Sequence, residues 1–523
     1  MIHRRRPAVF PPLASTRRGG VLTGWLFALC FALSAAAAHA TDKAVEAPPY
    51  SLPALNHLVA SGARVSARVI DIESGRTLAT LDPGQALIPA SVTKLYTSAA
   101  ALDRWGAAKR FTTRVTRLGS VKQGVLHGDL VFVGGGDPGL VNAQLWTLAQ
   151  RVRESGIRVV DGRLLVDARR FGPVPCVTRD RCRAKRESED AYNAPLSSAG
   201  VDFSNACLSV RPGAQAGAPA RLAFEPFDLP MLAIRGRVET LPPGQPAHIR
   251  VVRRSEGARE VFEVSGGIPL GGKPRRFYRS IAHPDRFAGE VFRAFLEQAG
   301  VAVHGGVAVV RAGGKVMAGV PVAKVEGTPL GEQLRGMLVY SNNYMADTLA
   351  LDWAAADGAP VPVNLPEAGR RLSAYARAVD VASLFAWARD GRPLLESGSG
   401  LTVGNRLSAN DITALLAHEY HRYGDFPAFL AGLTVPDQTP VAMLKGGSTA
   451  WDTRIAAKTG SLNQPVSVFA LAGYLRLAHG RWGAFAVLVN GGHRRPHVGL
   501  FDAIAAVRSD LEALLARDDA AHP

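Results

Sequence analysis

The chain has 523 residues, of which 47% are hydrophobic and 20% charged, and carries a formal net charge of +17. That length and apolar content exclude a single ordinary compact domain, so two or three domains sharing a sizeable buried interior are expected. The cations are spread along the chain with only short clusters such as Arg181-Cys182-Arg183-Ala184-Lys185-Arg186, which read as a solvated basic face and not as a nucleic-acid footprint.

Residues 1–40 read as an export leader. Arg4, Arg5, Arg6, Arg17 and Arg18 precede an apolar run over 21–38, and Ala38-His39-Ala40 supplies the small residues of a cleavage point before Thr41. A retained anchor is the rival reading, because the run almost suffices to span a bilayer, but its Ala-rich end favours cleavage. Leu29 before Cys30 is too bulky for lipoprotein processing. Loss of the five leader arginines takes the formal charge from +17 to about +12 and leaves Cys176, Cys182 and Cys207. In an oxidising compartment the simplest pair is Cys176 with Cys182. No C-x-x-C or Cys/His ligand spacing appears, so no metal is expected.

In chain order, 51–60 predicts a short helix, and 65–72 with 77–81 a hairpin around Glu73-Ser74-Gly75-Arg76. Entered at Pro89, 90–105 predicts a helix with Val92, Leu95, Ala99 and Leu102 on one buried face. From about 111 to 327 the texture changes to short β-like runs broken by Gly and Pro, among them 130–133, 163–167, 248–253 and 301–311. Helices near 142–156 and 285–299 interrupt it, and the charged stretch 173–190 reads as loop. Helical periodicity returns over 330–353, 366–389 and 408–421. The end predicts a strand over 454–458, a hairpin of 466–477 and 481–489, and a helix over 497–516. In that last helix Asp502, Asp510 and Glu512 face a single internal cation, Arg508, which suits packing better than attachment to a membrane surface. His127, His493 and His497 read as surface or cap residues with no carboxylate partner, and Gly134-Gly135-Gly136 as a tight turn.

Three short motifs carry chemistry. Ser91-Val92-Thr93-Lys94 opens a helix and places a hydroxyl and an amine at i and i+3, on one face. Partial positive charge at the helix start and desolvation both lower the lysine pKa, so a neutral amine can take the serine proton. Ser341-Asn342-Asn343 offers a hydroxyl to relay a proton and an amide to hold a substrate carbonyl. Lys458-Thr459-Gly460-Ser461, at the end of a short strand, offers a cation and a hydroxyl for a substrate carboxylate, with Gly460 allowing close approach. The Ser461 amide can join that of Ser91 in an oxyanion hole. Each motif alone is weak: a chance spacing, a helix cap, a turn beside a surface lysine. Their joint order is specific, since Ser91/Lys94 is the only Ser-x-x-Lys of the chain and Lys458 opens its only Lys-Thr-Gly.

The set resembles the penicillin-binding protein and β-lactamase superfamily, and within it the low-molecular-mass class C D-alanyl-D-alanine carboxypeptidase/endopeptidase family. Ser341 lies 250 positions after Ser91, which leaves room for the large insertion typical of that branch. Gly128-Asp129-Leu130 followed by Gly134-Gly135-Gly136-Asp137-Pro138 is similar to the family's characteristic segment. Ser397-Gly398-Ser399-Gly400-Leu401 with Asn405-Arg406-Leu407-Ser408 resembles its glycine-serine loop, although Ser397 stands where members often carry Asp.

The resemblance implies an α/β (α+β) fold: a transpeptidase-like domain with an antiparallel sheet flanked by helices, carrying a large, mainly β insertion. Residues 41–114 and 330–523 would form the split catalytic domain, 115–144 and 213–329 the inserted domain, and 145–212 a second domain nested within it. It implies Ser91 as acylated nucleophile, Lys94 as general base, Ser341 as proton relay, Asn343 as a substrate-amide contact, and Lys458 with Thr459 as the carboxylate grip. Gly460 and Ser461 complete the site, with the Ser91 and Ser461 amides as oxyanion donors. The implied activity is that of a serine-type D-Ala-D-Ala carboxypeptidase with endopeptidase action on peptidoglycan cross-links. Stem peptides are then the substrates and β-lactam antibiotics the covalent inhibitors. The expected setting is the periplasm, with no cofactor, no nucleic-acid partner and at most peripheral membrane association.

Overall fold

The computed structural model describes residues 48–172, 178–315, 317–389, 391–439 and 441–523. The leader and Cys176 of the expected Cys176/Cys182 pair lie outside the described residues.

Pro53 opens the first helix, α1 (Pro53–Ala60), at a position where its missing N–H costs nothing. The expected hairpin follows as β1 (Arg64–Asp71) and β2 (Thr77–Leu81). Residues Ala90–Thr93 make one 3₁₀ turn that runs into α2 (Lys94–Trp105). Helical spacing predicts one buried face for α2, whereas every residue from Lys94 to Leu102 is buried. Small side chains at Ser98, Ala99, Ala100 and Ala101 allow neighbouring helices to close around it.

The long middle segment begins with the hairpin β3 (Thr112–Lys122) and β4 (Val125–Val133), then α3 (Asn142–Glu154). The expected run at 163–167 is the strand Leu164–Asp167, parallel to β4, and 248–253 widens to His248–Glu256, paired with Arg259–Pro269. The run at 301–311 splits into Ala302–Val303 and Val307–Val310. In place of a loop, the charged stretch holds a helix of one and a half turns, α4 (Arg179–Ala184), and Arg181 on it is buried, against the expectation of a solvated basic face. His127 does have a carboxylate partner, Asp161, at 2.7 Å on the surface. After α5 (Pro284–Gln298), the strand β5 (Val320–Glu326) pairs with β3 so that Glu326 lies opposite Thr112. The segment therefore leaves and returns at adjacent points, and residues from Val115 to Val325 bury an apolar core of their own.

The helical run expected over 330–353 is two helices, α6 (Leu330–Val339) and α7 (Asn343–Ala356), broken at Ser341, which has a left-handed φ of 54°. They are followed by α8 (Leu365–Ala382) and α9 (Ala409–Tyr420), the latter opened by a reciprocal Ser408/Asp411 capping box. The chain closes with β6 (Ile455–Leu462), β7 (Val468–Arg476), β8 (Trp482–Asn490) and α10 (Leu500–Ala521). Sequence spacing ends the first of these strands at 458; pairing with β7 carries it on to Leu462, so Lys458-Thr459-Gly460-Ser461 lies within the strand. Cross-strand hydrogen bonds there outweigh the poor strand preference of glycine.

The two ends of the chain share one antiparallel sheet, ordered β6-β7-β8-β1-β2, with Arg64 opposite Asn490. Alternation along β7 sends Ala470, Ala472 and Tyr474 toward the core formed with α2 and α6 to α9, and Phe469, Leu471 and Leu475 toward the core formed with α1 and α10. Asp510 of α10 accepts from the Ala54 and Leu55 amides at 3.0 and 2.9 Å, tying the last helix to the first turn of α1. The fold is thus α+β, an antiparallel sheet with helices on both faces and a large insertion rich in strands. Among the described residues no helix is long and apolar enough to cross a membrane.

Candidate active site

Ser91 lies on the 3₁₀ turn before α2, directly after Ala90, whose φ of 46° is left-handed. With Ser341 at φ 54°, two of the three motifs thus have strained backbone at their serine or beside it, as functional sites often do. Two glycines press on the Ser91 turn. A Cβ on Gly460 would lie 2.7 Å from the Pro89 carbonyl oxygen and 2.9 Å from the Ser91 nitrogen, and one on Gly400 would lie 1.8 Å from the Ala90 carbonyl oxygen. A side chain at position 460 would thus collide with the backbone of the Ser91 turn.

Lys94 is fully buried, and its Nζ has three neighbours: Ser91 Oγ at 3.0 Å, Asn343 Oδ1 at 2.7 Å and the Ser399 carbonyl oxygen at 2.7 Å. Burial pushes the amine's pKa well below the ordinary lysine value; the charges of Lys458 and Arg181 add to this, and that of Asp347 opposes it. A neutral amine has two N–H bonds and one lone pair. The Asn343 and Ser399 oxygens can only accept, so they take the two N–H bonds, and the lone pair is left facing the Ser91 hydroxyl.

Lys458 is also buried and donates to Ser341 Oγ at 3.1 Å and to the Thr459 carbonyl oxygen at 2.8 Å. Burial lowers its pKa to about 7. Strand β6 is at the edge of the sheet, and Ala457 exchanges both of its backbone bonds with Thr434 on the side away from β7. Strand alternation then points the amides of Thr459 and Ser461 to that open side as well. Contacts among side chains and backbone therefore join the three motifs. Lys94 links the first to the second through Asn343, Lys458 links the third to the second through Ser341, and Gly460 meets the first at Ser91.

Beside Ser341 and Asn343 opens a cleft of about 800 Å³, lined on its other walls by Tyr192, Asp202, Glu225 and Tyr278 of the insertion. Asn343 Nδ2 donates to the Tyr192 carbonyl oxygen at 3.2 Å, so the insertion touches a motif residue directly. Sequence spacing did not reveal the neighbours that hold Lys94. Ser399 lies in the glycine-serine loop, but nothing in that pattern shows that its carbonyl meets the amine. Asp347 is one helical turn after Asn343, and Asn405 reaches Thr93 Oγ1 at 3.0 Å. The described residues hold one trio of metal-ligand type, Asp103, His418 and Glu419, away from these motifs, and its Asp103 is already paired with Arg422 at 2.6 Å.

Comparison with known proteins gives the geometry a family. Residues 54–508 match the D-Ala-D-Ala carboxypeptidase 3 (S13) family. A D-alanyl-D-alanine carboxypeptidase of Actinomadura sp. (strain R39) is 31% identical over 466 residues, covering 84% of this chain and 79% of that protein. The D-alanyl-D-alanine carboxypeptidase DacB of Haemophilus influenzae is 24% identical over 454 residues, covering 84% of this chain and 87% of that protein. The crystal structure of penicillin-binding protein 4 of the same organism has the same fold, with a TM-score of 0.69 at 20% identity over 88% of this chain and 99% of that one. The chain belongs to the D-Ala-D-Ala carboxypeptidase 3 (S13) family and is a serine-type carboxypeptidase.

Proposed function

We propose that this enzyme removes the terminal D-Ala of peptidoglycan stem peptides through an acyl-enzyme on Ser91, with Lys94 as the base. The observation that carries this reading is the 3.0 Å contact between Lys94 Nζ and Ser91 Oγ, made by an amine whose other two directions face oxygens that only accept. Ser91 Oγ attacks the carbonyl carbon of the penultimate D-Ala and its proton passes to Lys94 Nζ. The oxyanion is met by the amides of Ser91 and Ser461. The C–N bond then breaks as Lys94 gives up that proton, relayed through Ser341, to the leaving amine, which returns Lys94 to its neutral form; Ser341 is held by its hydrogen bond from Lys458. Water attacks the ester and gives a proton to the neutral Lys94, which passes it to Ser91 Oγ as the C–O bond breaks and the shortened peptide leaves.

Lys458 and Thr459 grip the terminal carboxylate, and its negative charge returns Lys458 to the ammonium form that burial disfavours. The remaining Asn343 amide donor holds the peptide backbone, and the stem extends into the cleft walled by the insertion. The position of that cleft beside Ser341 and Asn343 supports endopeptidase action on cross-links as a second activity of the same site. A β-lactam would acylate Ser91 by the first half of this sequence. The proposed setting is the periplasm, reached by cleavage of the leader over 1–40, with the split catalytic domain and nested insertion divided as the family pattern implies.

Mass spectrometry of the protein after exposure to penicillin tests the reading: one adduct on Ser91 is expected, and an unmodified Ser91 sinks it. D-Ala release from a monomeric pentapeptide, compared with cleavage of a cross-linked dimer, separates the two activities.

A further inference from the structure

The most basic run of the chain holds one residue that does not behave as a surface cation. On α4, capped by Thr178, and just after it, Arg183, Lys185 and Arg186 are exposed, while the Arg181 side chain on α4 is 2% exposed. Its Nη1 donates at 2.8 Å to Oδ2 of Asp347, which is fully buried. The other oxygen of Asp347 accepts from the Ser399 amide at 2.8 Å, and the carbonyl of Ser399 is one of the two oxygens that orient the Lys94 amine. A continuous line of contacts thus runs from the insertion to the nucleophile: Arg181, Asp347, Ser399, Lys94, Ser91.

Stability alone does not explain this arginine. Nε and Nη2 of Arg181 are buried with no hydrogen-bond partner among the described residues, a costly state for a guanidinium. Its position answers an electrostatic need of the site. A buried carboxylate near Lys94 is useful because it fixes the Ser399 peptide, but its unopposed charge would hold a proton on the amine and remove the lone pair. The charged groups acting on Lys94 are Asp347, Arg181 and Lys458.

We propose that Arg181 is a positioning residue for the serine site: it offsets the charge of Asp347, so that this carboxylate can anchor the Ser399 peptide without holding Lys94 in its protonated form. The inference rests on the reading of Lys94 as general base. It makes the insertion a supplier of charge to the catalytic centre as well as a wall of the cleft.

The test is the rate of penicillin acylation of Ser91 in the full chain, measured from about pH 5 to about pH 10 for wild type, Arg181→Met, Asp347→Asn and the double variant. Arg181→Met is expected to move the acid limb up by about one pH unit, which is about a tenfold lower rate at a fixed pH on that limb, with the high-pH rate retained. The double variant is expected to return the limb to the wild-type position, because no lone carboxylate remains. A uniform loss at every pH, or a double variant as impaired as Arg181→Met, overturns the proposal and leaves Arg181 a structural residue. If Arg181→Met does not fold, Asp347→Asn decides: a limb moved to lower pH supports the proposal, and an unmoved limb overturns it. A wild-type protein with no adduct on Ser91 instead sinks the underlying mechanism, so the two failures are distinct.

Discussion

Lys94 Nζ stands 3.0 Å from Ser91 Oγ with its two other directions spent on the oxygens of Asn343 and Ser399, so a neutral amine there can act toward Ser91 only through its lone pair. Replacement of this lysine by Met keeps the volume and removes the proposed base. Lys94→Met is expected to lower the rate of Ser91 acylation by about a hundred- to ten-thousand-fold. Thermal unfolding should show a melting temperature no lower than wild type, since a desolvated amine is replaced by an apolar chain. A variant acylated at the wild-type rate refutes the role of Lys94.

The pH profile of kcat/KM follows from the two buried lysines. Lys94 must lose its proton to act, and its depressed pKa places the rising limb well below the range of a free lysine. Lys458 must keep its proton to grip a carboxylate, and with a free-enzyme pKa of about 7 its grip weakens as pH rises through that value. The outcome is a bell, with the alkaline loss appearing in KM for carboxylate-ended peptides. An ester or amide that lacks the free carboxylate should lose the alkaline limb; if it keeps that limb, Lys458 is not the grip.

Gly460 is expected to tolerate no side chain. A methyl group there meets the Pro89 oxygen at 2.7 Å and the Ser91 nitrogen at 2.9 Å, so β6 and the Ser91 turn must move apart. Gly460→Ala should reduce acylation by roughly tenfold to a hundredfold through lost alignment. Circular dichroism and thermal unfolding that match wild type alongside this loss would locate the effect in the site.

Glu419 offers a test of stability remote from the three motifs. It is fully buried, both of its carboxylate oxygens lack a hydrogen-bond partner among the described residues, and burial with the nearby Asp103 charge raises its pKa to about 8. The unfolded value is about 4.3, so the folded protein binds the extra proton between these values and its stability falls as pH rises through that window, then levels off. Glu419→Gln has no such proton to hold. Its advantage over wild type should be negligible near pH 4, widen with pH, and reach on the order of 5 kcal/mol above pH 8 in chemical denaturation. A difference independent of pH would rule out the raised carboxyl.

The candidate site was legible because its chemistry is compact in sequence. Ser91 and Lys94 are three apart at a helix start, and Lys458-Thr459-Gly460-Ser461 is contiguous, so each motif can be found locally, although only the order of all three together is specific. The closing hairpin and most helices were legible from periodicity for the same reason. Burial was not. Arg181 belongs to a run that any local criterion assigns to solvent, and α2 has an apolar stripe on one face although it is enclosed on all sides. The strand boundary after Lys458 was missed because pairing with β7, and not the preference of Thr459 or Gly460, extends it.

The amino-acid sequence by itself determined the reaction type, the three motifs and the family pattern, because these depend on residue types at short, regular spacings that backbone geometry converts directly into neighbours. Only the tertiary structure decided what surrounds Lys94: Asn343 lies 249 positions away, Ser399 305 positions away, and the Asp347–Arg181 pair spans 166 positions. Which of a chain's many amides and cations meet across such separations depends on how sheets and helices pack, and packing energy is summed over the whole core, so no local stretch of sequence encodes it.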